Sequence, residues 1–404
     1  AYSKAIELYP DHSASRNNLA LLYMRTDQLD KAIAQISILR ERGFDFPGAA
    51  GNLAESYAGV GNNDEAMKVV TEYVARFPDN EMGYLNLAGM QLAVDRLDDA
   101  DASLKKALAL RPGYPPVVST TAYVALLRDD FANTRKIAQE LLRFPAANGR
   151  SIGHMPIVYA DLLQGQTAAA LKQLQAAIAD QDKDGSAESA AEGAVVAEIL
   201  RARGQDTAAM VAAERAVADA RGRPAAMEAL FQGTVARSPR SSAELRRIAA
   251  LLPAGSDKTS PLLADAILAI EDGHPAAALD LLKQYGTSAP PGVIALGSLF
   301  PVRQPMTEVS YWSARAELAM GNDDAAAVGF ERVASAGYAR LYSPIEYVRS
   351  FYYLGQIAEK KGDHAKARDD YGRFLKYWKD GDIDRDKIET ARKIVEAGLQ
   401  TRLR

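Results

Sequence analysis

Asn18, Asn52 and Asn86 recur at an interval of 34 residues. A carboxamide both donates and accepts, so a row of them can pair with the backbone of a peptide of any sequence. Each such bond contributes about 0.5–1.5 kcal/mol, so useful affinity also needs side-chain anchors. Thr120 stands where the next asparagine would fall, which keeps the row short. The same asparagines could equally be ordinary solvated surface residues. A second constellation is Asp180, Asp182, Asp184 and Gly185, the first half of a calcium-binding loop in spacing. Its twelfth place, which needs a bidentate Glu, holds Ala191, and Glu192 comes one place late. An acidic connection between two helices explains those letters without metal. His12, His154, His274 and His364 lie far apart, none with a second ligand at helical spacing. Ser103 and Lys106 form a Ser-x-x-Lys pattern that any polar helix face produces by chance. Asp382, Asp384 and Asp386 suit the positive N-terminal end of a helix that follows them.

Aromatic residues crowd into 338–378. Phe351, Tyr371 and Phe374 are expected to face inward as core, while Tyr342 and Tyr347 are the expected exposed members, a candidate partner surface. The balance of the chain is ordinary: 404 residues, a formal charge of −4, 25% charged residues and no cysteine. With a pI of about 5.8 there is no basic excess for neutralising phosphates, so a nucleic-acid partner is not expected. Lack of cysteine removes disulfides, thiolate metal sites and thiol nucleophiles. No run of about 18 apolar residues spans a membrane. The opening residues show no signal-peptide pattern and look like the middle of a helix, so the chain reads as the soluble part of something longer. Either side of a bacterial membrane suits it.

The elements that must carry these residues are set by an internal repeat. Leu19, Leu53 and Leu87 align, as do Ala20, Ala54 and Ala88, and then Ala32, Ala66 and Ala100. Two antiparallel helices approach closely only if small residues sit where they cross, which accounts for both alanine columns. Tyr23, Tyr57, Tyr73 and Tyr84 fill the space beside them, and Pro10, Pro78 and Pro112 stop the second helices. The register continues through Thr134, Ala170, Ala209, Ala278, Ala326 and Ala367. From Ala170 on, each alanine follows a Gly five residues earlier, predicting a left-handed helix end. The wide gap between Ala209 and Ala278 predicts a worn helix pair near 225–253, and the four prolines of 286–308 predict an extended connection. A last amphipathic helix after Asp384, with Ile388, Ala391, Ile394 and Val395 on one face, should cap the stack.

This pattern resembles the tetratricopeptide (TPR) repeat, which implies an all-α, right-handed superhelical solenoid of antiparallel helix pairs with a C-terminal capping helix. The expected organisation is an N-terminal array over 1–221, degenerate pairs and a Pro-rich connection over 222–308, and C-terminal pairs with the capping helix over 309–404. The asparagine row resembles the ladder in the superhelix of O-linked N-acetylglucosamine transferase, which implies an extended peptide gripped in the concave groove. The carboxylate clamp of TPR co-chaperones needs Lys and Arg where this chain has Asn17, Leu21 and Met82, so that mode is not expected. From Val309 onward, the run Phe374–Asp380, the Asp382/Asp384 loop and the Tyr-containing link over 336–347 resemble the TPR tails of bacterial serine/threonine kinases and winged-helix regulators. Gly381 and Ile383 depart from that pattern, predicting a looser loop.

The expected function is therefore a non-catalytic module that binds a protein or peptide, with no cofactor. The alternative is the sensory or scaffolding tail of a kinase or transcription regulator whose catalytic or DNA-binding domain lies upstream. An enzyme site within 222–308 is a third reading, and the oligomeric state is not legible. Substituting Asn18, Asn52 and Asn86 together by Ala is expected to leave the melting temperature nearly unchanged.

Overall fold

Small side chains at each predicted crossing point do what the spacing requires. The computed structural model describes residues 1–25, 28–144, 147–184, 189–220, 260–288, 305–341 and 343–402. Regular structure among the described residues is entirely helical: 20 α-helices and one 3-10 turn, Tyr338–Leu341. They divide into two compact units, residues 1–156 and the described residues from 157 on, with the division inside one helix after Pro156.

Unit 1 holds α1 (Tyr2–Leu8), α2 (Ser13–Arg25), α3 (Leu29–Glu41), α4 (Pro47–Gly59), α5 (Asn63–Arg76), α6 (Glu81–Ala93), α7 (Leu97–Leu110), α8 (Pro115–Leu127), α9 (Phe131–Leu141) and the start of α10 (Ala147–Leu163). Successive helices from α1 to α9 pack on one another, and the first helices of neighbouring pairs, α2, α4, α6 and α8, also touch in turn. Ala20, Ala32, Ala54, Ala66, Ala88 and Ala100 are all fully buried. A larger residue at any of them would drive the paired axes apart, at a typical cost of about 1–3 kcal/mol. Tyr73 and Phe77 pack at one edge of the core formed by α2 to α6. Links one repeat apart tie the outer rim: Arg42 to Asp11, Arg76 to Asp45, Arg111 to Glu81 and Arg128 to Asp98. Most are exposed and each contributes at most about 1 kcal/mol.

Turn chemistry follows the register. Gly61, Gly165, Gly204, Gly273, Gly321 and Gly362 take positive φ five residues before the buried small residue of the next helix. Asp95 and Asp129 adopt the same left-handed geometry in turns without Gly, which Asp tolerates better than most residues. Asn62, Asn80, Asp130 and Asp363 cap helices by accepting a backbone N–H three residues on.

Unit 2 continues with the rest of α10, α11 (Thr167–Asp184), α12 (Ser189–Ala202), α13 (Asp206–Ala220), α14 (Ser260–Glu271), α15 (Pro275–Ser288), α16 (Pro305–Ala319), α17 (Asp323–Ala334), α18 (Pro344–Lys360), α19 (His364–Trp378) and α20 (Arg385–Arg402). α20 packs on α19 through buried Ile388 and Ala391, with Ile394 and Val395 half-buried. The worn pair expected near 225–253 and most of the connection expected over 286–308 lie outside the described residues. Within the 222–308 span, α14 and α15 form a regular pair around buried Ala278.

Candidate functional site

Because α2, α4, α6 and α8 touch in sequence, their shared face is the surface on which the asparagine row falls. The three residues are not equivalent there. Asn18 is exposed, and its amide meets no partner among the described residues. Asn52 is half-buried and donates to Asn17 Oδ1 at 3.0 Å. Asn86 is buried and donates to the Pro47 carbonyl at 2.9 Å, one repeat earlier. Its amide lies so close to Gly51 that a Cβ there would sit 2.8 Å from Asn86 Nδ2, so this contact needs glycine. Thr120 turns its hydroxyl back onto the Pro116 carbonyl of its own helix. Asn86 is thus a fastener between α4 and α6, which sets aside the expectation that all three asparagines can be removed without cost. Asn86→Ala should take the second donor from the Pro47 carbonyl, which keeps its bond within α4, and destabilise unit 1 by about 0.5–1.5 kcal/mol. Hydrogen exchange should show α4 and α6 amides opening faster, with Asn18→Ala unchanged.

The second constellation in the structure was not visible as a site in the sequence. In unit 2 the loop between α19 and α20 closes onto the turns that begin α11 and α13. Trp378 is fully buried, donates its indole N–H to the Leu162 carbonyl at 3.3 Å, and packs on Gly165. Gly381 approaches Gly165 so nearly that an added Cβ would lie 3.3 Å from the Gly165 carbonyl oxygen. Asp382 donates its own N–H to that carbonyl at 2.9 Å. Its carboxylate accepts from Thr167 N–H at 3.0 Å, from Ala168 N–H at 2.8 Å and from the Thr167 hydroxyl. α11 therefore receives its N-terminal cap from a residue 215 positions away. Arg203 adds an ion pair at 3.3 Å. Burial pushes the Asp382 carboxyl up, but the Thr167 and Ala168 donors and Arg203 outweigh it and hold it below the usual range.

Asp384 sits beside this clasp at φ 49, immediately before α20. It takes two bonds from Arg349, at 2.7 and 3.2 Å, and an ion pair from Lys387 at 3.2 Å. Arg349 also donates to the Ala202 carbonyl at 3.3 Å. Burial again works to raise the Asp384 carboxyl, and Arg349 beside it prevails and lowers it. The expectation that these acids serve the start of α20 is corrected for two of them: Asp382 serves α11 and Asp384 serves Arg349, while Asp386 stands in the first turn of α20. The departures at Gly381 and Ile383 do not free the loop either, since Ile383 is buried and Gly381 enables the close approach.

Two other expectations change. Tyr347 is buried, with its ring edge on Phe351 and its hydroxyl 3.4 Å from that of Tyr377, so it offers nothing to a partner. Tyr342 lies outside the described residues. Phe351, Tyr371 and Phe374 are core, as their spacing implied. Asp180, Asp182 and Asp184 belong to the continuous helix α11. Alternate positions of a helix lie about 200° apart around its axis, whereas a calcium loop brings them together. A helical backbone over these three residues does not form a calcium loop. No group of three or more metal-ligating side chains occurs among the described residues. No described helix is long and apolar enough to cross a membrane.

Comparison with known proteins agrees with this geometry. Residues 1–34 and 52–115 match models described as tetratricopeptide repeat. The chain is similar to the TPR repeat-containing protein YpiA of Bacillus subtilis (strain 168), 24% identical over 167 residues that make up 41% of this chain and 39% of the relative. It is also similar to cellulose synthase operon protein C of Pseudomonas fluorescens (strain SBW25), 32% identical over 127 residues, 30% of this chain and 9% of that protein. The chain thus spans well under half the length of either relative. Among solved structures, a thermophilic TPR protein of Thermus thermophilus aligns with 43% of this chain and 93% of its own, at 23% identity and a TM-score of 0.37. Helix pairs in a 34-residue register, alanines buried at both crossing columns and the two family matches together identify tetratricopeptide repeats in this chain.

Proposed function

We propose that this chain is a non-catalytic scaffold for protein–protein interaction, and that unit 1 takes an extended peptide or partner helix along the joined face of α2, α4, α6 and α8. The observation that carries this reading is the free carboxamide of Asn18 beside the half-buried amide of Asn52 on helices that touch one after another. Asn52 spends its N–H on Asn17 and keeps its carbonyl oxygen for a guest's backbone N–H. Asn86 holds the platform and takes no part in binding. The match to either relative covers well under half of that protein, so the guest is described by chemistry alone. It is a polypeptide with backbone amides free to pair and apolar anchors.

Panning a random peptide library against the full chain tests this. A selected peptide, measured by titration calorimetry, should lose about tenfold in affinity when Asn18 and Asn52 are both replaced by Ala, with the fold unchanged by circular dichroism. A library that yields no binder, or binding that ignores the double substitution, overturns the reading.

A further inference from the structure

Unit 2 carries an open, polar cavity of about 500 Å³, within the size range that accommodates small molecules. Its walls come from the turn between α12 and α13, from Arg315 on α16, from Arg349 and Tyr353 on α18, and from the stretch Asp382–Lys387. Two of its carboxylates are already committed. Asp382 is taken by Thr167, Ala168 and Arg203, and Asp384 by Arg349 and Lys387.

Arg315 is the exception. Its guanidinium carbon lies 4.8 Å from the centroid of the Tyr353 ring, and it makes no ion pair with a carboxylate among the described residues. Its electrostatic neighbours are Tyr311, Tyr353 and the like charge of Arg349. A cation placed in a wall beside another cation and lacking an acid of its own is costly unless something anionic joins it. Two helix ends add to the same field. α13 begins directly after Gln205 and α20 directly after Asp384, and the N-terminus of a helix carries partial positive charge. Asp386 stands exposed at the rim and confines the anion to the Arg315 side.

The remaining chemistry narrows the ligand. Tyr353 is buried, with Phe330 stacked on it at 5.0 Å and Arg315 over its ring, so it offers no open face to a nucleobase. Apolar lining is scarce, with Ile383 and Ala202 the aliphatic contributors. The exposed Asp386 carboxylate and Gln205 suit hydroxyl groups. We propose that this cavity binds a small, hydroxyl-rich, phosphate-bearing molecule of sugar-phosphate type, its phosphate on Arg315 and its hydroxyls on Gln205 and Asp386. The site belongs to unit 2 and is independent of the peptide face of unit 1. Because its walls include the loop that clasps α11, occupancy should also tighten that clasp.

Titration calorimetry on the full chain with hexose and triose phosphates tests the proposal, with glucose, inorganic phosphate and AMP alongside. At least one sugar phosphate should bind at least about tenfold more tightly than glucose, inorganic phosphate or AMP. Arg315→Gln should weaken it by at least about tenfold, and Arg315→Lys, which keeps the charge, should retain part of the affinity. Circular dichroism checks that both variants fold. Bound ligand should slow hydrogen exchange in residues 202–205 and 382–387. Absence of binding by every sugar phosphate, equal binding by inorganic phosphate or AMP, or full affinity in Arg315→Gln would each overturn the assignment.

Discussion

Trp378→Ala is expected to lower the stability of unit 2 by about 3–5 kcal/mol, the range typical of removing a buried aromatic side chain. The indole is fully buried, packs on Phe374 and Gly165, and donates to Leu162 across a separation of 216 residues. Truncation therefore opens a hole and also removes one of the two donors to the Leu162 carbonyl, which keeps the Gly165 N–H at 3.0 Å. The readout is convenient. Trp312 and Trp378 are the two tryptophans of the chain and both lie in unit 2. In the variant, Trp312 fluorescence alone follows the unfolding of unit 2 in denaturant, while circular dichroism follows the whole chain. The fluorescence midpoint should fall sharply. Hydrogen exchange at Thr167 and Ala168 should accelerate, since Asp382 can cap α11 only while the loop is held in place. Trp378→Phe should recover most of the packing and lose the indole bond, at a cost of about 1 kcal/mol from that bond alone. If Trp378→Ala left the Trp312 midpoint unmoved, the clasp would contribute nothing to unit 2.

What could be read without coordinates was whatever has a local period. The alanine columns, the glycine turns and the final amphipathic helix are all set by neighbours within about one repeat, so their spacing carries them. The clasp has no such signature. Thr167 and Asp382 are ordinary helix-start letters in their own neighbourhoods, and each satisfies a local rule that hides the long-range one. The structural part played by Asn86 is hidden for a related reason: its partner is fixed by how one pair sits on the preceding pair, and the one trace of that in the sequence is the glycine at 51. Tyr347 does carry a signal, masked by its place in a long link. Ser343 and Pro344 form a helix start, with proline at the first helical position, which puts Tyr347 and Phe351 on one face of α18. The acidic run at 180–184 continues the helix of Ala170, Leu174 and Ala177, all buried, and that apolar spacing outweighs a partial loop motif.

Asp384→Asn should destabilise unit 2 almost as severely, by about 3–5 kcal/mol, because it leaves the Arg349 guanidinium buried without its counter-ion. Asn tolerates the left-handed backbone that Asp384 adopts at φ 49, so the loss would report on charge rather than on strain. The pair gives a direct check through a double-mutant cycle. Arg349→Met alone should be similarly damaging, since it strands Asp384 with Lys387 as its remaining ion-pair partner, while the two changes together should cost much less than their sum. Additive losses would mean that the two groups do not stabilise one another. The same pair fixes an acid dependence. Asp382 and Asp384 both have carboxyls held below their ordinary value in the folded chain. Their contribution is then complete above the unfolded aspartate pKa of about 3.9 and is lost as pH falls through the lower folded value. The Trp312 and Trp378 fluorescence midpoint in denaturant should accordingly hold steady from neutral pH to about 5 and fall steeply below about 4. In the Asp384→Asn, Arg349→Met double variant that acid slope should shrink, because one of the two depressed carboxyls and its partner have gone.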